Sequence, residues 1–459
     1  MKNKNKTLIK NIGLFTIGSF GSKILSFLLV PLYTSYLSTN EYGSIDLVTT
    51  TASLLTPILL FSIFDATLRF GMDASYNKQD VLSTSIGIAI KSSILLVIGV
   101  LIISITGIFS IDNSYLTYLC VFFVLGALNQ ILNLYLRAKN QAAVIAVSGI
   151  ICTLVTCISN IALILFFRLG IIGYMISNTV GILMQVLYQL IIGKLYKDIR
   201  IKNYNNLSKP MIKYSSPLIA NSLSWWINGA SDRYILTFFR GVSENGIYSV
   251  ACKIPTLLTM FQGIFYNAWS ISAISEFDEE DSDGFIGTNY SIYSFVSLFG
   301  CSCLFLINIP LAFFLYKGDY FQAWKFVPFL LMGSVFSGIS QFEGSLFAAV
   351  KNTKLVAKTT VIGAVVNTIL NVILIYFLGA VGAALSTLLG YMVTWVLRTY
   401  YLRSFVNMKV NWKIHIISIV IVFIQSILST LSISLWIQMV VFIILLIINR
   451  SFISSLLIT

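Results

Sequence analysis

Four basic side chains lie inside apolar stretches of this 459-residue chain: Lys23, Lys91, Arg233 and Lys253. A cation near the centre of a bilayer costs roughly 2.5–3.5 kcal/mol on the insertion scale. Such charges persist where they pair, reach an interface or line a water-filled path. Four of them point to a polar cavity through the middle of the chain, and a cationic cavity suits an anionic cargo. Lys23 follows the small-residue run Gly18-Ser19-Phe20-Gly21-Ser22, where a helix or a ligand can approach the backbone closely. Lys253 stands two residues before Pro255, whose ring frees a carbonyl and permits a bend. Asp232 and Arg233 are neighbours, just past Trp225 and Trp226. Adjacent helical residues point about 100° apart, so at least one of the two faces a partner on another helix or a cavity. Lys91 has an alternative in snorkelling to the cytoplasmic interface. Asp65 and Arg69 are spaced i,i+4 and share a helix face, as a local ion pair or as a gate contact. Asp46 and Glu343 are candidates for a coupling cation or for partners of the lysines.

No residues are arranged for covalent chemistry. His415 is the only histidine, so neither a His-Glu-x-x-His zinc site nor a histidine-based triad can form, and no Walker loop is present. The six cysteines all fall in apolar stretches and read as small buried hydrophobes. No metal or cofactor is expected. The net charge of +13 is spread over short loops and is not a nucleic-acid footprint.

The elements that position these residues must be membrane helices. The chain is 57% hydrophobic and 10% charged, against about 25% charged in soluble domains. Apolar runs of about 20 residues predict spans near 12–37, 44–68, 82–110, 115–136, 142–167, 171–193, 214–240, 246–275, 289–316, 325–350, 355–378, 380–402, 414–431 and 433–449. The last pair is short for a full hairpin, and twelve spans is the fallback. The first run is too long for a signal-peptide core and reads as a retained helix. With the N-terminus in the cytoplasm, cytoplasmic segments carry 22 Lys and Arg, with Arg398 counted in the loop after span 12, and outer segments carry 4. That bias orients the chain with both termini in the cytoplasm. The acidic loop 276–283 falls on the cytoplasmic side and reads as solvated.

A pattern repeats. Gly170-x-x-Gly173-x-x-x-Ser177-x-x-x-Gly181 reappears as Gly379-x-x-Gly382-x-x-x-Ser386-x-x-x-Gly390, 209 residues later. Lys139-Asn140 answers to Lys351-Asn352, and Asn160 to Asn371. The offset covers six spans, an even number, so the halves are parallel repeats. The expected architecture is all-α and polytopic. A six-helix lobe (1–193) is followed by a cytoplasmic linker (194–213), a second six-helix lobe (214–404) and an extra helix pair (405–459). A central cavity between the lobes would serve alternating access.

The opening run NIGLFTIGSFGSKILSFLLVPLYTSYLSTNEYGSIDLV resembles bacterial polysaccharide flippases, the Wzx-type O-antigen and capsule exporters of the multidrug/oligosaccharidyl-lipid/polysaccharide superfamily. SIFDATLRFG (62–71), ASDRYIL (230–236), NGIYSVACKIP (245–255) and Lys-Asn-Thr at 351–353 match its habits. The resemblance implies two six-helix lobes around a cationic cavity in the bacterial cytoplasmic membrane. It implies an oligosaccharide linked through pyrophosphate to undecaprenol as substrate, with the last two spans holding the lipid tail. Lys23 and Lys253 stand where basic residues of the first and eighth helices face the cavity in related lipid II flippases, although arginine is common at the first. Membrane lipids, a polysaccharide polymerase and a chain-length regulator are the implied partners. The rivals are a cation-coupled multidrug exporter of the same superfamily, a membrane glycosyltransferase or polymerase, and a structural scaffold. An acidic site would favour the exporter, a large external catalytic loop the enzyme. The scaffold leaves the buried charges unexplained.

Overall fold

The computed structural model describes residues 24–107, 112–200 and 205–450, with the side chains of 205, 206, 271 and 275 excepted. Helices account for every regular element among these residues. Contacts divide the chain into two units, Met1–Trp226 and Ile227–Thr459.

The first unit holds α1 (Ile24–Tyr36), α2 (Thr39–Leu59), α3 (Ile63–Met72), α4 (Lys78–Thr106), α5 (Asn113–Ala138), α6 (Ala142–Phe166), α7 (Gly170–Ile192) and the short α8 (Asn205–Ser215). A capping box starts α2: Glu41 N–H donates to Ser38 Oγ, and Ser38 N–H donates to Glu41 Oε2 at 2.8 Å. The expected span 44–68 is one bent element rather than a straight helix. Pro57 removes a backbone donor near the end of α2, Phe61 and Ser62 adopt positive φ, and α3 leaves at 53°. Leu60, Ile63 and Phe64 at this bend are buried with Phe123, Ala127, Ile131 and Tyr135 of α5 and Met211 of α8. The described residues 193–200 after α7 are pinned at Asp198. Asp198 accepts from Lys139 Nζ at 2.7 Å, Tyr135 Oη at 3.1 Å and Gln79 Nε2 at 3.3 Å.

The second unit begins within α9 (Leu218–Arg240) and continues with α10 (Val242–Ala251), α11 (Lys253–Ser275), α12 (Phe285–Leu306) and α13 (Asn308–Leu315). The bundle is completed by α14 (Val327–Ala349), α15 (Thr353–Leu378), α16 (Ala380–Leu402), α17 (Trp412–Thr430) and α18 (Leu435–Ile448). Its centre is α14, with 17 of 23 residues buried, packed by α11, α12, α16 and α17. Three polar rungs tie α17 to α12 and α13: His415 to Ser294 at 3.3 Å, Gln425 to Ser302, and Ser429 to Asn308 at 3.4 Å. Both partners rise in number together, so α17 runs parallel to α12. Hydrogen bonds of this kind replace the missing hydrophobic drive between helices in lipid.

The repeated small residues do the same work in each unit. Ser177 Oγ donates to Gly173 O at 2.7 Å, and Ser386 Oγ to Gly382 O at 2.8 Å. A Cβ on Gly181 would strike Thr156 Oγ1 and lie 3.1 Å from Cys152 O on α6. A Cβ on Gly390 would lie 2.7 Å from Asn367 Cβ on α15. Each glycine thus marks a close crossing of consecutive helices, α6 on α7 and α15 on α16. The turns leading into them carry Gly170 and Gly379 at positive φ (51° and 58°).

Eight helices among the described residues are long and apolar enough to cross a membrane, and ten if each of two bent pairs counts once. Two shorter apolar helices, α1 and α18, add to these. The expected fourteen spans are therefore not all present as long apolar helices among the described residues. Neither α9 nor α11 is among the eight, though each has 23 residues. The reason is polar content: Asn221, Ser222, Asn228, Asp232 and Arg233 on α9, and Thr256, Thr259, Gln262 and Asn267 on α11.

Candidate substrate site

Helix α9 brings Asn228, Gly229, Asp232 and Arg233 to a polar pocket of about 290 Å3 inside the second unit. Tyr248 of α10, Thr256 and Thr259 of α11, Ser334 of α14 and Thr387 and Tyr391 of α16 complete its polar lining. Asp232, 6% exposed, accepts from Tyr248 Oη at 2.5 Å and from Arg233 N–H at 2.9 Å. Its neighbour Arg233 lines the same pocket and donates from Nη1 to Gly229 O at 3.1 Å. The adjacent acid and base therefore do not oppose one another across the helix. The acid is tied to α10, and the guanidinium lies along its own helix beside the pocket. Thr387 Oγ1 is buried there without a hydrogen-bond partner among the described residues, which leaves a hydroxyl for a ligand. The volume suits a head group or a single ring rather than a whole oligosaccharide.

The remaining candidates are dispersed. Lys253 opens α11 between Cys252 and Pro255, both of which line the pocket. It is half-buried, and its ammonium forms no ion pair among the described residues. Lys23 lies outside the described residues. Lys91 is exposed and sits mid-way along the 29-residue α4, so its charge is not gathered into either pocket described here. Arg69 pairs not with Asp65 but with Asp73, at 3.7 Å, one turn further on. Asp65 is half-buried on α3. Asp46 is half-buried on α2 and held in a polar interaction.

Glu343 occupies a second buried cluster, which sequence reasoning did not assemble. It is fully buried on α14 and accepts at Oε1 from Thr399 Oγ1 (2.6 Å) and Tyr290 Oη (3.4 Å), while Oε2 has no donor among the described residues. Trp395 Nε1–H donates to the same Tyr290 oxygen at 3.1 Å, and His415 Nε2 lies 3.5 Å from it. Arg398, 3% exposed, donates to Thr359 Oγ1 (3.2 Å), Ser340 O (2.5 Å) and Thr360 Oγ1 (2.8 Å). Its count as a loop cation was wrong, since it lies inside α16. The orientation bias survives its removal. The apolar run of the predicted span 380–402 already carries α16 past it.

The acidic loop is also not simply solvated. Asp281 is fully buried and accepts from the backbone N–H groups of Ile286, Gly287 and Lys409, each at 2.9 Å. It caps α12 and clasps the connection between α16 and α17.

Residues 8–270 match the family described as polysaccharide biosynthesis protein. The chain belongs to that family. The resemblance read from the opening spans is thereby borne out. Among curated proteins, 225 residues are 25% identical to "Probable low-salt glycan biosynthesis flippase Agl15" of Haloferax volcanii, covering 48% of each chain. An uncharacterized membrane protein of Methanocaldococcus jannaschii is 27% identical over 244 residues, 49% of this chain and 57% of that one. The matches thus span about half the length of these relatives. Among solved structures, a lipid II flippase MurJ in an inward closed conformation aligns with TM-score 0.71 at 17% identity, covering 97% of this chain and all of that one. An inward-facing multidrug resistance MATE family transporter aligns with TM-score 0.65 at 11% identity, covering 83% and 94%. These likenesses establish the fold of this family member: a helical membrane protein built as those transporters are.

Proposed function

We propose that this chain is a flippase. It moves an oligosaccharide linked through pyrophosphate to undecaprenol across the bacterial cytoplasmic membrane by alternating access, with both termini in the cytoplasm and no covalent step of its own. The observation that carries this is the pocket of the second unit, where Arg233 lies beside a tethered Asp232 and Lys253 heads the adjoining helix. A pyrophosphate brings about two negative charges, and each unit charge 4 Å from a cation is worth about 4 kcal/mol at an effective dielectric of 20. That attraction offsets desolvation of the head group. A guanidinium adds paired N–H donors that match phosphate oxygens. Family membership supports glycan cargo, and the MurJ-like fold supports carriage of a lipid-linked one.

The test is translocation in proteoliposomes loaded with the host's lipid-linked oligosaccharide pool. Arg233→Ala and Lys253→Ala should each slow transfer about tenfold or more while the protein still inserts. A second reading, a cation-coupled exporter of cationic drugs, is favoured by the MATE likeness and by Asp232 in the pocket. Efflux of a cationic dye with no transfer of the lipid-linked glycan would establish that reading and discard the first.

A further inference from the structure

The first unit contains a larger pocket of a different character, and we propose that it is a carbohydrate subsite that takes one or two sugar rings of the cargo. This rests on the flippase reading above. The pocket, about 540 Å3, is an open cleft lined by α2, α3, α5 and the start of α9. That volume falls in the usual range for small-molecule sites. Among the described residues its lining is uncharged, which sets it apart from the pocket beside Arg233.

Its composition is that of a sugar site. Trp225 lines it and is 46% exposed, which leaves part of a large indole uncovered. Trp226 beside it is fixed: its indole N–H donates to Thr50 O and to Ser53 Oγ, both at 3.1 Å. One ring is therefore locked by the protein while its neighbour presents surface. The C–H faces of a pyranose are apolar and its rim is polar, so it needs a flat aromatic surface together with donors and acceptors at the edge. The edge is supplied by Gln130, Ser53, Thr56 and Ser222. Gln130 is half-buried, and its carboxamide makes no hydrogen bond among the described residues. A carboxamide offers two donors and an acceptor, enough for adjacent hydroxyls. Ser53 and Thr56 donate to Thr50 O and Ala52 O within α2, both at 2.7 Å; Thr56 keeps its lone pairs for incoming hydroxyls, and Ser53, which also accepts from Trp226, keeps one. A hydrocarbon tail would leave the Gln130 carboxamide unpaired, and the described lining offers a phosphate no cation.

The test is calorimetric binding to the purified full chain. The two probes are the lipid-free oligosaccharide released by mild acid from the host's lipid-linked pool, and farnesyl pyrophosphate. Trp225→Ala should weaken oligosaccharide binding about tenfold, and Trp225→Phe should recover most of it, as a stacking surface requires. Gln130→Ala should weaken it severalfold. Neither should change farnesyl pyrophosphate binding, which Arg233→Ala should reduce. No oligosaccharide binding by the unaltered chain overturns the proposal, as does unchanged binding in Trp225→Ala. A loss in Trp225→Ala that Trp225→Phe does not recover also overturns it, since that marks a packing or membrane-anchoring role. Failure of the flippase reading shows separately, as absent translocation in proteoliposomes despite intact binding of both probes.

Discussion

Glu343 offers a substitution pair whose outcomes follow from its hydrogen bonds. Among the described residues, both donors that reach it, Thr399 at 2.6 Å and Tyr290 at 3.4 Å, converge on Oε1, and Oε2 has none. Glu343→Gln can place its carbonyl at the Oε1 position and keep both bonds. It loses attraction to the nearby Arg398 charge but no longer holds a carboxylate in a fully buried site, and these effects oppose one another. The net change should lie within about 1 kcal/mol. Glu343→Ala leaves two buried donors without an acceptor, at about 1–3 kcal/mol each, and adds a cavity penalty. Its cost should be about 3–6 kcal/mol. For a cooperative unit of the size of Ile227–Thr459, 1 kcal/mol corresponds to roughly 2–4 °C. Thermal unfolding of the purified protein in nanodiscs should therefore show Glu343→Gln within about 4 °C of the unaltered chain and Glu343→Ala lower by about 6 °C or more. Equal, large losses in both variants would refute this account, because they would mean that the charge itself holds the cluster together. The same Gln variant tests coupling: if Glu343 carries the driving ion, Glu343→Gln should abolish the gradient dependence of translocation while the fold stays intact.

The repeated glycines give a second prediction. Gly181→Val and Gly390→Val should each destabilise by about 1–3 kcal/mol through overpacking, whereas Gly149→Ala, with nothing within 4 Å of the added carbon, should be tolerated. Thermal scans of the three variants decide it. The clasp at Asp198 gives a pH prediction. Burial pushes its carboxyl up, but the bonds from Lys139, Tyr135 and Gln79 outweigh this and hold its pKa below the ordinary value. Because the folded-state pKa is depressed, the clasp contributes above the unfolded value of 3.8 and is lost as pH falls through the folded one. Proteolysis within 194–200 should thus be constant from pH 5 to 8, and Lys139→Ala should accelerate it across that window. Topology is checked with cysteines introduced at 196–206. An impermeant thiol reagent applied outside whole cells should not label them, and labelling would invert the orientation. Lys23→Ala and Lys253→Ala should abolish surface polysaccharide display without loss of insertion, and normal display in both would remove the anionic-cargo reading.

Much of the architecture was legible because membrane helices announce themselves locally. Long apolar runs such as Lys78–Thr106 need no partner to be recognised, since lipid itself demands an internally bonded helix. The repeat was legible for a related reason: a glycine at a helix crossing leaves a spaced signature, and Gly181 and Gly390 occupy such crossings. The bend after Pro57 was harder to see, because Phe61 and Ser62 adopt positive φ without a glycine to signal it. Arg398 was counted with the loop cations although the predicted span 380–402 encloses it, because a charge near the end of an apolar run reads as interfacial. Its burial depends on acceptors from Ser340, Thr359 and Thr360, 38 to 58 residues away.

The sequence alone determined the solvent in which this protein folds, its all-helical class, its repeated glycine pattern and its family, because each of these is written in composition, period or motif. Tertiary structure alone decided what the charged side chains do. It tied Asp232 to Tyr248 and left Arg233 beside a pocket, moved the partner of Arg69 from Asp65 to Asp73, and gathered Glu343, Tyr290, His415 and Arg398 into one buried cluster. The physical reason is range. Burial in lipid is a property of each segment, whereas the role of a buried charge is set by whichever donor or acceptor lies within about 3 Å, and only packing brings distant residues that close.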